Sequence, residues 1–228
     1  MWNGLRMALE AFEAERYARL AQLGTATVHE AEPDCGILDE AWIQIIPGSR
    51  AAGPVRTAAC DQGDNRAVHE LLAAVNAGDV LVLTMPEPAP YGMVGELIAR
   101  QAKRAAVAAI LVDGGVRDTD ELRELGLPVW ARWVRVRGTT KHLHGRIDVP
   151  VVVGGAAVSP GDVLVLDADG AVVVPRSRAD RALVAGEQRL AKEAILRAQL
   201  ESGERTYDLL GLSQAVRAKR GDSDVGAQ

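Results

Sequence analysis

The sequence holds only two cysteines, Cys35 and Cys60, far apart and in neither a CxxC nor a multi-cysteine pattern. That argues against a disulfide framework and fits reduced, buried, inert thiols. Long apolar runs are missing too: VLVL and AVVVP are far too short to span a bilayer as helices. The N-terminal stretch MWNGLRMALEAFEAERYARL alternates charges with Leu5, Leu9 and Phe12 at helical spacing and lacks the continuous apolar core of a signal peptide, so a cytoplasmic protein is expected. No block of Lys or Arg stands out; 26 basic and 31 acidic residues are interspersed, with a formal charge of −5. Composition therefore gives no electrostatic reason to expect a nucleic-acid or membrane partner. Internal repeats and low-complexity tracts are absent as well. Small molecules and other subunits remain as partners.

What is present is enough apolar material, 48% of 228 residues, for one full core. The chain reads as a single domain over 1–228, with an N-terminal helix over 1–24 and a C-terminal helix and tail over 177–228. Between them, IQIIPGSRAAGPVRTAAC has the β-branched residues and Pro/Gly breaks of short strands and turns. AVHELLAAVNAG predicts a helix closed by Gly78, followed by the buried strand DVLVLTM. VGELIARQAKRAAV has helical spacing, and AAILVDGGVRD reads as a strand running into a glycine turn. TDELRELG predicts a short helix with Thr119 as N-cap and Gly126 as C-cap, before the strand LPVWAR. This alternation argues for an α/β domain. Farther on, VPVVVGG, DVLVLDADG and AVVVP are strands with no helix between them, and DVLVLDADGAVVVP predicts a hairpin turning at Asp169 and Gly170. A last helix over Ser177–Leu200 precedes GERTYDLLGL and a polar tail, AKRGDSDVGAQ, expected to fray.

The run DGGVRD, Asp113 to Asp118, is the first candidate for chemistry. A strand delivers Asp113, and two glycines permit a turn from which Arg117 and Asp118 project at a sheet edge. A carboxylate holds a hard cation, and an adjacent, permanently charged guanidinium grips a carboxylate or an enolate oxygen. On spacing alone, such a pair is more commonly a solvated turn or a helix cap. Gly95 and Glu96 fall at the start of a predicted helix, where unpaired amides and the dipole attract anions; equally, Glu96 can simply complement the dipole.

Taken together, LGTATVHEA, GDN at 63–65, GELIA, VDGGVRDTDELRELGLPVWAR, GTTK at 138–141, VPVVVGG, VSPGDVLVLDADGAVVVP and RLAKE resemble one family, in its order, over roughly nine tenths of the chain. It is the family of class II 4-hydroxy-4-methyl-2-oxoglutarate and 4-carboxy-4-hydroxy-2-oxoadipate aldolases, which also contains the regulator of ribonuclease E activity A. The resemblance implies an α/β fold, a layered β/β/α swivelling-type domain with N- and C-terminal helical extensions. It further implies a homotrimer or homohexamer with active sites between subunits, the C-terminal helix and tail contacting a neighbour. By the same resemblance Asp118 holds the metal, Mg²⁺ or Mn²⁺. Arg117 binds the keto oxygen and stabilises the enolate, and the backbone around Gly95, Leu97 and Ile98 holds the pyruvyl carboxylate. Glu96 and a neighbour's Glu193 position metal-bound waters, Asn65 and Lys141 contact substrate, and His29 and Glu30 lie near the pocket; a helix start is the other reading of that last pair.

The implied reaction is divalent-metal-dependent retro-aldol cleavage of 4-carboxy-4-hydroxy-2-oxoadipate or 4-hydroxy-4-methyl-2-oxoglutarate, releasing pyruvate through a metal-stabilised enolate, with oxaloacetate decarboxylation alongside. Rival readings are a non-catalytic, protein-binding regulator of an RNA-degrading nuclease, and a related lyase acting on another 2-oxo acid. The continuation RLAKEAILRAQL, which carries Glu193, favours an enzyme. Glu193 lies off the apolar stripe of Leu190, Ala191, Ala194, Ile195 and Ala198, but so do Arg189 and Lys192, so only the resemblance singles it out. Arg132, Arg135, Arg137 and Lys141 are unranked candidates for the distal carboxylates. His142 and His144, as HxH, read as an exposed connection rather than a metal site; Asp167 and Asp169 as a hairpin turn rather than a calcium loop; His69 as core; and Trp130 and Trp133 as packing.

Overall fold

The computed structural model describes residues 2–212, with side chains from residue 11 onward. Helices α1 (Trp2–Leu23) and α2 (Thr25–Ala31) lead into the short strands β1 (Gly36–Ile37) and β2 (Ile43–Gln44), and then β3 (Ala51–Ala59). Next come α3 (Arg66–Leu72), β4 (Val80–Thr84), β5 (Gly92–Val94), α4 (Glu96–Arg104), β6 (Ala109–Val116), α5 (Thr119–Leu125) and β7 (Val129–Val134). A run of strands follows: β8 (Arg146–Ile147), β9 (Val151–Val153), β10 (Ala156–Val158), β11 (Val163–Leu166) and β12 (Ala171–Val174). Helices α6 (Ala179–Glu201) and α7 (Thr206–Leu209) end the described chain, and the tail expected to fray, 218–228, lies outside it. By compactness the chain forms two units, Met1–Gly186 and Glu187–Gln228.

In the first unit one sheet runs in the order β1-β12-β11-β3-β4-β6-β7-β2. Its middle, β3-β4-β6-β7, is parallel, and its margins are antiparallel. Strand β4 shows how sequence makes the layers. Leu81 and Leu83 point to one face, among Val68, Leu71, Ile98, Ala102 and Leu122 of α3–α5. Val80 and Val82 point to the other, among Trp130, Leu111, Leu164, Val173, Val153 and Val158. A strand covered on both faces is apolar along nearly its whole length, and every residue of β4 is buried. Because β11 and β12 join the second cluster, the antiparallel end of the sheet curls over its parallel middle, and the β9–β10 hairpin closes that side. The mixed α/β fold is therefore as expected.

Three local expectations are corrected. The helix expected to run to Gly78 stops at Leu72, because the Asp79 carboxylate accepts the Asn76 amide at 2.7 Å and turns the chain, with Gly78 at φ 86°. The glycine turn in DGGVRD does not form: β6 continues through Gly115 to Val116, held extended by β5 on one side and β7 on the other. There the glycines serve close approach, since a Cβ at Gly115 would lie 2.7 Å from the Tyr91 carbonyl oxygen and one at Gly114 2.8 Å from Met93 Sδ. The turn falls instead at Asp118, in the left-handed region (φ 56°, ψ 45°), which also takes the N-cap position expected for Thr119. Gly126 ends α5 as anticipated, at φ 70°. The 166–171 connection is a hairpin turn, and Asp167 explains its sequence by accepting the Thr25 amide and hydroxyl at 2.8 and 2.7 Å and the Asp169 amide at 3.0 Å. Among the described residues no helix is long and apolar enough to cross a membrane.

Candidate active site

Strands β5 and β6 end side by side, and each hands its chain to a helix, α4 and α5. Strand ends in parallel sheets are the usual ligand sites of α/β folds, because helix starts and loops converge there. A cavity of about 410 Å³ opens at this point. Gly95, Glu96, Leu97 and Ile98 form one wall, Arg117, Asp118 and Glu121 another, and Asn65, His69, Thr139 and Lys141 close the third. Larger depressions lie along Arg100–Ala105 and around Cys60, but neither joins a carboxylate and a guanidinium to a helix start.

The left-handed turn at Asp118 swings its carboxylate back across the gap between strands, so that Oδ2 accepts the amide of Glu96 at 3.0 Å. Gly95 is needed for this approach, since a Cβ there would fall 2.3 Å from that oxygen. Arg117 is anchored by its own amide, which donates to the Val94 carbonyl at 3.0 Å, and its Nε lies 3.7 Å from Asp118 Oδ2. The first intrahelical bond of α4 runs from the Ala99 amide to the Gly95 carbonyl. The amides of Leu97 and Ile98 thus have no acceptor within the helix and face the anion-attracting end of its dipole. Leu97 itself is 81% exposed, at the cavity mouth. Glu96 accepts from Arg100 Nε at 2.7 Å.

Asn65 sits at the start of α3, 3% exposed, with Nδ2 donating to the Met93 carbonyl at 2.8 Å. Next to it, Asp64 clamps the Gly138–Lys141 segment, accepting from the Thr140 hydroxyl at 2.6 Å and the His142 amide at 2.7 Å. Burial pushes the Asp64 carboxyl up, but these bonds and those from the Arg66 and Leu143 amides outweigh it and hold it well below the usual carboxylate range. That clamp brings Lys141 to the cavity. Of the four cations considered for distal carboxylates, Lys141 alone lines it. Arg132 is committed elsewhere, to buried Asp113 and to Glu40 at 2.7 Å, between the rings of Trp42 and Trp133. Arg137 lies over the Tyr91 ring. Asp113, at the head of the DGGVRD run, is therefore a structural residue: burial raises its carboxyl and Arg132 counters it.

Asn65, Gly95, Glu96, Leu97, Ile98, Arg117, Asp118 and Lys141 thus meet in one cavity. Glu30 does not line it; it is exposed on α2, one residue from His29, which faces the Cys35 thiol at 3.4 Å. Glu193 belongs to the second unit, where its two oxygens pair with Arg189 and Arg197, each at 3.1 Å. His142 and His144 lie in an irregular connection, as read. The residues missed include Glu121, Thr139 and His69, the last read as core yet lining the cavity one helical turn beyond Asn65. The i, i+4 spacing from GDN was the available signal.

Among the described residues no three His, Cys, Asp or Glu cluster as a closed metal cage. The donor set fits a different ion. Asp118 has one oxygen engaged and one free, beside an open cavity. Mg²⁺ or Mn²⁺ is commonly held by one or two carboxylates, with waters and substrate oxygens completing the shell.

A parallel-sheet core with a carboxylate, a guanidinium and a helix start at adjoining strand ends defines an α/β protein equipped to bind a small anionic ligand. The chain belongs to the RraA-like family, described as Aldolase/RraA, whose model matches residues 25–173. A relative from Halalkalibacterium halodurans, provisionally named as a 4-hydroxy-4-methyl-2-oxoglutarate aldolase, is 31% identical over 144 residues, 63% of this chain and 69% of its own. Among solved structures, RraAS2 of Streptomyces coelicolor, described as an unusual member of the RNase ES inhibitor RraA family, is 32% identical with a TM-score of 0.71, covering 80% of this chain and 96% of that one. The RNA-processing inhibitor RraA from Thermus thermophilis is also 32% identical, with a TM-score of 0.62 over 66% of this chain and 92% of its own.

Proposed function

We propose that the protein is a divalent-metal-dependent pyruvate aldolase of the cytoplasm. It cleaves 4-carboxy-4-hydroxy-2-oxoadipate or 4-hydroxy-4-methyl-2-oxoglutarate and decarboxylates oxaloacetate as a side activity. The observation that carries this reading is the placement of Asp118, with one carboxylate oxygen fixed by the Glu96 amide and the other free in a cavity shared with Arg117 and the start of α4.

In this reading Asp118 holds Mg²⁺ or Mn²⁺, which supplies Lewis acidity toward the carboxylate and keto group of the pyruvyl half. The protein's own groups do the rest. The amides of Gly95, Leu97 and Ile98 receive the pyruvyl carboxylate at the helix start. The Arg117 guanidinium stands where the keto oxygen gains negative charge as the carbon–carbon bond breaks, and stabilises it more in the transition state than in the ground state. Asn65 and Lys141 receive the distal end of the substrate. Glu96, with Glu193 from a neighbouring subunit of a homotrimer or homohexamer, orients the water that takes the hydroxyl proton. The whole chain acts as one domain whose C-terminal helix reaches that neighbour.

Pyruvate release from each substrate, with Mg²⁺ or Mn²⁺, with chelator, and with Asp118→Ala, tests the proposal. Activity that survives both chelator and substitution overturns it. The inhibitor structures at 32% identity support a second reading, a non-catalytic regulator of an RNA-degrading nuclease. Metal-loaded protein that turns over no 2-oxo acid but binds such a nuclease tightly establishes that one instead.

A further inference from the structure

A second opening lies where the parallel strands β3 and β4 end, a cleft of about 670 Å³. Asp61, Thr84 and Arg146 supply its polar side, and Met85, Pro150, Val151 and Val152 its apolar side. Register explains why the polar three meet. Ala59 is paired with Thr84 of β4 and with Arg146 of β8, and partners across a ladder present their side chains to one face. Asp61, two residues beyond Ala59, lines the same cleft, and its Oδ2 accepts the Gly145 amide at 3.2 Å, which brings the chain at Arg146 next to that carboxylate. Ala59 and Thr84 continue the face of Val55 and Val82, which packs with the β9–β10 hairpin, whereas α3 and α4, with the Asp118 cavity, cover the other.

The polar groups of this cleft are not used up by the fold. Among the described residues the exposed Arg146 guanidinium pairs with no carboxylate, the Thr84 hydroxyl has no partner, and Asp61 keeps one oxygen free. Two opposite charges thus line one cleft without neutralising each other. Cys60, also in its wall, adds no charge, since burial keeps the thiol protonated. His144 is turned toward Glu70, with Nδ1 3.6 Å from the carboxylate. A cleft with one free cation, one free carboxylate oxygen and an apolar wall fits a ligand that carries both signs of charge and an apolar group.

We infer that this cleft binds a free α-amino acid with an apolar side chain, at a site separate from the catalytic cavity. The planar Arg146 guanidinium takes the carboxylate in a two-bond fork, and Asp61 takes the ammonium. The Thr84 hydroxyl, both donor and acceptor, serves either group. Met85, Val151 and Val152 receive the side chain; Val152, 68% exposed, otherwise leaves its apolar surface in water. The pattern selects against the 2-oxo acids of the other site. They bring only negative charge and acceptor oxygens, which satisfy Arg146 but meet Asp61 with repulsion. A simple amine has the converse defect, leaving Arg146 unpaired. Binding here depends on neither the aldolase nor the regulator reading.

The test is calorimetric titration of the full chain with L-leucine, with 4-methylpentanoate, which lacks the amino group, and with 3-methylbutylamine, which lacks the carboxylate. L-leucine should bind, and each half-ligand should bind about 10- to 100-fold more weakly, the scale of one lost charge-assisted contact. Arg146→Met should weaken L-leucine by about the same factor with an unchanged circular dichroism spectrum, because the guanidinium has no partner in the fold. Asp61→Asn should match it; should that variant fail to fold, since Asp61 also holds Gly145, Arg146→Met and the half-ligands carry the test. Arg117→Ala, in the other cavity, should leave L-leucine binding unchanged. No binding of L-leucine, or binding that survives Arg146→Met, overturns the inference. So does 4-methylpentanoate binding as tightly as L-leucine, which would make the cleft a plain anion site. Loss of binding in Arg117→Ala places the amino acid in the catalytic cavity and overturns it as well.

Discussion

The amide of Glu96 donates to Oδ2 of Asp118 at 3.0 Å, joining the first residue of one helix to the residue before the next. That single bond sets the direction of the carboxylate, because it holds one oxygen down and leaves the other turned to the cavity. It also couples the two strand ends, so a disturbance on either side is felt at the site.

The approach that this bond needs is open only to glycine at 95, where an added Cβ would lie 2.3 Å from Asp118 Oδ2. Gly95→Ala is therefore expected to weaken Mn²⁺ binding by about 10- to 100-fold while leaving the fold intact, as a displaced supporting contact of a metal ligand does. Titration followed by the Mn²⁺ paramagnetic signal, with circular dichroism as the fold control, measures it. Unchanged binding would separate the ion from Asp118.

Arg117→Lys keeps the positive charge but loses the planar donor array. If the guanidinium stabilises charge only as the carbon–carbon bond breaks, kcat should fall about 100-fold with KM nearly constant. Steady-state kinetics on a 2-oxo acid substrate gives the answer. A raised KM at constant kcat would make Arg117 a ground-state binding group instead.

Asp64 accepts from the Thr140 hydroxyl and from the amides of Arg66, His142 and Leu143, and its pKa is depressed in the folded protein. A depressed carboxylate contributes stability that is present above its unfolded value, near 4, and is lost as the pH falls toward the folded value. Asp64→Asn should cost about 2–3 kcal/mol at neutral pH, the loss of charge-assisted bonds to a buried acceptor. The difference from the native protein should shrink below roughly pH 4, where the native unfolded chain takes up a proton that Asn cannot. Urea unfolding at several pH values reads this directly, and a constant difference across the range would refute it.

Burial pushes the Cys60 thiol up to about 12, so almost none of it is thiolate at neutral pH. Cys35 is also buried and raised. Neither thiol should react with an aromatic disulfide reagent in the folded protein, and both should react on unfolding. Rapid native labelling at Cys60 would show that its surroundings open.

Much of the architecture was legible because it rests on local pattern. Alternating helical and strand periodicity set out the α/β order, and the apolar VLVL run announced a buried strand. The site was legible mainly through motif combination. Arg117, Asp118, Glu96 and Gly95 stood out in their runs, but spacing alone could not separate them from a turn and a dipole-matched helix start. The glycine pair of DGGVRD misled for a physical reason. Glycine permits a turn but equally permits another strand to pass close by, and only the presence of β5 and β7 on either side decides which.

The sequence by itself thus determined the elements, the family pattern and the chemical types available, since these follow from periodicity and side-chain chemistry within short windows. The tertiary structure alone decided which of those groups meet. It assigned Asp113 and Arg132 to a buried structural pair, and it chose Lys141 from four cations through the Asp64 clamp. It also moved His69 from expected core to the cavity wall. Each outcome depends on contacts between residues far apart in the chain, as in the Glu96–Asp118 bond across 22 positions, and no local pattern encodes such distances.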